Sequence, residues 1–203
     1  MKRPGSYSLL VTVIMIAQVC SAQSAKPQTV PPAVPQTAES NPKTWKEFAS
    51  KEGFFSILLP GTPVKQIQRV GAPAEPLDYF SYTLQTETHS YFVAYVDFPE
   101  VPEDARGIIK ILDGGRDGAI ATINGRLISE VDLSLRGVPG RAITVEGASQ
   151  LVRARIYLAE LRLYLIMIVA NKTQTISAEI NSLENATVER FLDSFKLTAR
   201  KKK

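Results

Sequence analysis

The chain reads as an α+β protein, a mostly antiparallel β-sheet of about six to eight strands flanked by two main α-helices. Three observations predict this. Short β-rich runs succeed one another across short turns, which favours antiparallel neighbours. Two longer stretches switch from alternating to helical spacing. The composition, 44% hydrophobic and 22% charged over 203 residues, is that of a globular chain with one ordinary domain and accessory segments.

Taken in order, the first segment has the three parts of a secretory signal peptide. Lys2 and Arg3 are the positive start, Leu9 to Ala17 the apolar run, and Cys20-Ser21-Ala22 the small residues before a cut. The run is shorter than the roughly 20 residues needed to cross a bilayer, so residues 1–22 are expected to be removed after Ala22 and the protein to be exported to the periplasm or beyond. Lipid anchoring through Cys20 is disfavoured by Val19 directly before it. Cys20 is the single cysteine, so its removal would leave no disulfide or thiol chemistry. Residues 23–43 carry five prolines and no periodicity, the composition of an extended linker.

A single domain is expected over residues 44–198, followed by a basic tail at 199–203. Phe54 to Leu59 is an apolar strand stopped by Pro60-Gly61-Thr62-Pro63, and Val64 to Val70 alternates as a half-buried strand does. Leu77 to Thr86 and Tyr91 to Phe98 form an aromatic-rich pair across Glu87 to Ser90. Ile108 to Ile123 is an amphipathic helix. Its buried face holds Ile108, Ile111, Leu112, Gly115, Ala119 and Ile123, and Asn124-Gly125 ends it. Strands resume at Leu127 to Leu135, Arg141 to Glu146, Leu151 to Leu158 and Leu163 to Ala170. The last is apolar on both faces, as a central covered strand is. The turns between them are read at Gly137 to Gly140, Gly147 to Gln150 and Ala159 to Arg162. A closing helix is read from Ser177 to Ser194, with Ile180, Leu183, Val188, Phe191 and Phe195 at helical spacing.

Phe55 to Pro63 (FSILLPGTP), Arg153 to Val169, and Phe191 to Leu197 (FLDSFKL) resemble poorly characterised exported bacterial proteins that share the fold of PsbP, the extrinsic subunit of photosystem II. The resemblance covers Trp45 to Leu197 and rests on structural motifs: strand ends, a hairpin and a closing helix. The chain departs from the pattern at Glu160-Leu161, where relatives often turn on Gly-Asn. What the resemblance implies is an antiparallel sheet with flanking helices; a photosystem role does not follow from a shared fold.

The search for chemistry yields no catalytic constellation. His89 is the single histidine, and it falls in a polar turn. Asp113-Gly114-Gly115-Arg116-Asp117-Gly118 lies inside a helical pattern, where neither a phosphate cradle nor a calcium loop forms, and Asp113 and Asp117 with Lys110 read as an ion-paired solvent face. No metal site and no cofactor are predicted. Glu130 and Asp132 share a strand face, with Arg126, Arg136, Arg141, Arg153 and Arg155 on neighbouring strands. The most promising surface is therefore polar: Arg141, Arg153 and Arg155 could take an anion or acidic partner. Tyr82 and Tyr95 are read as possible lining for an apolar ligand.

The expectation is an exported, non-enzymatic PsbP-like domain that binds an envelope protein or a small ligand. The rival is an extracytoplasmic hydrolase working near His89 and the aromatic hairpin. Nucleic acid is disfavoured by where the charge sits. The formal +4 falls to 22 basic against 20 acidic residues without Lys2 and Arg3. It becomes 17 against 19 when Lys26, Glu39 and Arg200 to Lys203 are also set aside.

Overall fold

The computed structural model of the chain describes residues 44–72, 75–100, 104–171 and 178–199. The signal-peptide and linker readings, the cations Arg200 to Lys203 and the helix start at Ser177 lie outside these residues, as do the side chains of Ile180 and Leu183.

Among the described residues, ten strands and two helices follow in the order β1 (Lys46–Ser50), β2 (Phe55–Leu59), β3 (Val64–Val70), β4 (Leu77–Gln85), β5 (His89–Asp97), α1 (Ala105–Thr122), β6 (Arg126–Leu135), β7 (Val138–Glu146), β8 (Gln150–Ala159), β9 (Arg162–Asn171), α2 (Ala178–Asp193) and β10 (Lys196–Leu197). They make two sheets, β1-β2-β10 and β3-β4-β5-β9-β8-β7-β6, with every neighbouring pair antiparallel. The α+β class and the antiparallel sheet agree with the sequence reading; the count of six to eight strands in one sheet is corrected to ten strands in two. The strands the sequence reading lacks are β1 and β10. β10 is two residues long, too short for any periodicity, and β1 (KEFAS) shows little alternation of its own.

Two meanders, β3-β4-β5 and β6-β7-β8-β9, meet where β9 pairs with β5, so α1 carries the chain from the middle of the large sheet to its far edge. β9 is buried along nearly its whole length, because it receives cover from both sides. On one face α1 packs its Leu112, Gly115 and Ala119 against Ile156 and Leu163. On the other face β2 and α2 bring Phe55, Ile57, Leu59, Val188 and Phe191 against the tyrosines of β4, β5 and β9.

Local chemistry accounts for the element ends. Asp104 caps α1 by accepting from the Gly107 amide at 2.7 Å, and Asn124, at φ 46°, turns the chain out of the helix in the left-handed region. The β6–β7 turn is Arg136-Gly137, both at positive φ (53° and 87°), which is the geometry of a tight primed hairpin turn. The turn expected at Gly137 to Gly140 is thus displaced: Val138, Pro139 and Gly140 are already strand residues. The β8–β9 hairpin turns on Glu160-Leu161, with Glu160 at φ 55°, and Arg162 belongs to β9 rather than to the turn.

Candidate functional site

The concavity with the densest charge lies between α1 and the far edge of the large sheet, about 430 Å³ in volume and lined by Asp113, Arg116, Glu130, Asp132 and Arg141. Strand alternation sets it up. Glu130 pairs with Ile143 and Asp132 with Arg141 in the β6–β7 register, so these side chains point to the face that α1 covers. Helical spacing turns Asp113 and Arg116 toward the same place.

Arg141 is the centre. It is only 7% exposed, and its Nη1 donates to Glu130 Oε1 at 2.6 Å and, in a short contact, to Asp113 Oδ1. Its Nε is buried without a hydrogen bond and stands 3.6 Å from Asp132 Oδ1. Arg116 reaches Asp113 at 3.0 Å, Asp117 at 2.8 Å and Glu130 at 3.2 Å. The hydrogen bond to Asp117 is the main reason its guanidinium is pushed above the ordinary value, against the lowering effect of burial. The expected pairing of Asp113 and Asp117 with Lys110 is replaced by this pairing with Arg116. The guanidinium on the same helix bridges both carboxylates and still reaches the sheet.

The arrangement is an ionic clamp holding α1 on β6 and β7. Three carboxylates face two guanidiniums in the lining, and Asp132, 88% exposed, presents its carboxylate to solvent. The chemistry on offer is therefore an acceptor for a cation: Arg141 Nη1 is taken by Asp113 and Glu130, and its Nε faces the carboxylate of Asp132.

The other residues singled out from the sequence are elsewhere. Arg153 and Arg155 point to the opposite face of the sheet from Arg141, where they pair with Glu189 and Asp193 of α2. The three arginines therefore do not converge. Tyr82 and Tyr95 are core residues rather than pocket walls: Tyr82 shares a hydrogen bond with Ser50 Oγ at 2.9 Å, and Tyr95 stacks on Phe80 at 4.7 Å. His89 opens β5, with Nδ1 2.8 Å from Thr88 Oγ1 and its ring against Tyr91. Arg126 pairs with Glu146 at the rim.

A second concavity of about 450 Å³ is lined by Arg69, Pro76, Leu77, Asp78, Phe80 and Asp97. Behind it Arg162, buried, makes a two-pronged contact with Asp97 and donates to the Glu52 carbonyl at 2.7 Å. Its guanidinium lies 4.2 Å from the Tyr95 ring centre. Sequence reading misses this pair because Asp97 and Arg162 are opposite each other only once β9 is known to lie beside β5.

Among the described residues no group of side chains has the make-up of a metal site, and no helix is long and apolar enough to cross a membrane. No family model and no curated protein matches the chain. Among solved structures it is similar to a Pseudomonas aeruginosa protein of unknown function, at 12% identity and a TM-score of 0.33, over 78% of this chain and 99% of that one.

Proposed function

We propose that the chain is an exported, non-enzymatic binding domain, of the PsbP-like kind that its strand-end and closing-helix motifs resemble, and that its ligand in the envelope is a protein. The observation that carries this reading is edge strand β6. It is ten residues long, its outer backbone edge has no neighbouring strand among the described residues, and Ile128 and Val131 are about half exposed or more. The register of β6 slips between Leu127 and Ser129, which blunts the start of the edge, and the regular stretch from Ser129 to Leu135 is what can serve as a template for a partner's strand or loop. Asp132, directed to the α1 face and exposed, adds an acidic acceptor, so a segment alternating apolar and basic residues suits this edge. The hydrolase reading through His89 gains no support from the Thr88 and Tyr91 contacts of its ring.

The test is capture of partners from envelope extract by the wild type and by Val131→Lys, with proteins and small molecules identified by mass spectrometry. A basic-segment protein retained by the wild type and lost from the variant is the expected result. Equal retention by both, or enrichment of a small molecule alone, overturns the reading.

A further inference from the structure

The opposite edge of the large sheet, β3, carries a different signal. Its sequence, Val64-Lys65-Gln66-Ile67-Gln68-Arg69-Val70, reads the same in both directions if lysine and arginine are taken as equivalent cations. Among the described residues the strand pairs with β4 on one side only, and all but its last residue are exposed, with Val64 at 62% and Ile67 at 57%. We infer that β3 is a self-complementary edge that pairs antiparallel with β3 of a second copy of this chain, about a two-fold axis at Ile67, joining two seven-stranded sheets into one.

A two-fold axis perpendicular to the sheet brings identical strands together antiparallel and keeps each face on its own side, so residues of the same parity meet. Centred on Ile67, it sets Ile67 against Ile67, Gln66 against Gln68, and Val64 against Val70. These pairings are apolar with apolar and amide with amide, which are favourable cross-strand pairs. The remaining pairing sets Lys65 against Arg69, two like charges. Each of these cations already has its own carboxylate within the chain. Lys65 is bonded to Glu52, and Arg69 Nε lies 3.6 Å from Asp78. Each junction therefore gathers two cations and two carboxylates, and its net charge is zero.

The same construction fails at β6. Centred on Val131, it would oppose Glu130 with Asp132 twice, in a lining where carboxylates already outnumber guanidiniums. Like charges directly opposite each other are destabilising. The two edges of one sheet thus differ in kind: β3 is matched to itself and β6 to something basic.

Sedimentation across a concentration series tests the inference on the purified chain. The wild type is expected to be dimeric at micromolar concentration. Ile67→Lys, which places two lysines across the axis at an exposed site, is expected to weaken association about tenfold or more, whereas Val131→Lys leaves it unchanged. Register is read separately in a Cys20→Ser background. Ile67→Cys, which meets itself, is expected to form a disulfide-linked dimer on mild oxidation. Val64→Cys stands about 20 Å from its own copy at 3.3 Å per residue and is expected not to. A wild type that stays monomeric, a dimer indifferent to Ile67→Lys, one lost with Val131→Lys, or cross-linking at position 64 in place of 67 would each overturn it.

Discussion

Arg162 shows how much of the packing can hang on one side chain. It stands opposite Asp97 across the β5–β9 pair, yet its contacts run beyond the sheet: the Glu52 carbonyl accepts from it in the β1–β2 turn. From the same strand, Tyr164 donates to the Gly53 carbonyl at 2.8 Å, and the Phe54 carbonyl accepts from Thr198 after β10. Three consecutive carbonyls of a turn that cannot satisfy them internally are thereby taken up, one by Arg162 itself. Arg162→Ala would strand the Glu52 carbonyl and leave Asp97 without its two-pronged partner. A buried pair broken on one side costs up to 3–5 kcal/mol; because the Asp97 side chain is 46% exposed, water recovers part of this, and we expect a loss of about 2–3 kcal/mol in urea unfolding. Arg126→Ala is the matched comparison. Its pair with Glu146 is at the rim, with the arginine 76% exposed, and should cost less than about 0.5 kcal/mol. Similar losses for the two variants would mean that Arg162 is no more than another surface charge.

Adjacent glycines in α1 separate helix propensity from packing. Gly114 has nothing within 4 Å of where a Cβ would stand, whereas a Cβ on Gly115 would meet Ile156 Cγ2 at 3.0 Å and Leu163 Cδ2 at 3.5 Å. Gly114→Ala should therefore stabilise the protein by about 0.5–1 kcal/mol, the propensity gain alone. Gly115→Val should destabilise it by about 1–3 kcal/mol through overpacking against β8 and β9. Thermal unfolding of both variants checks the pair, and a stabilising Gly115→Val would show that α1 does not sit on the sheet as described. The helix itself is plain in the sequence, since apolar spacing and Asn124-Gly125 give its period and its end, and the same spacing puts Gly115 on the buried face. The acidic side of the helix is misread for a physical reason: Asp113, Arg116 and Asp117 look like a solvent face until β6 and β7 are placed beside them. The same holds for Arg141 against Arg153 and Arg155. Alternation within β7 and β8 is legible, but which face α1 takes and which α2 takes is settled only by the crossover from β5 to the far edge. Tyr82 and Tyr95 illustrate the converse limit. Their strand positions are right, and their burial comes from β1, β2 and Phe80, of which β1 leaves almost no periodic trace in the sequence.

At the scale of the whole molecule, the seven-stranded sheet is the shared wall of two cores. Tyr79 belongs to the core under α1, while Tyr91, Tyr95 and Tyr157 belong to the core under the small sheet and α2. β5, β8 and β9 contribute alternate side chains to both, so neither core can come apart while the other stays packed. Alkaline titration makes this testable. Burial raises all four phenols above the ordinary value of 10, with Tyr91 pushed up to about 12. Below pH 10 these phenols are neutral in the folded and the unfolded chain alike, and they favour neither. Above it the unfolded chain releases their protons and the folded chain keeps them, so the unfolded state binds fewer protons and stability must fall as pH rises toward the folded values. The four phenols should then ionise together with unfolding. Tyrosinate absorbance and far-ultraviolet circular dichroism, followed through the same alkaline titration, are expected to trace one coincident transition. If Tyr79→Phe, which silences the α1-side reporter alone, moves the absorbance midpoint away from the dichroism midpoint, the two cores open separately. Full ionisation near pH 10 with the dichroism unchanged would mean that these tyrosines are not buried in the native protein at all.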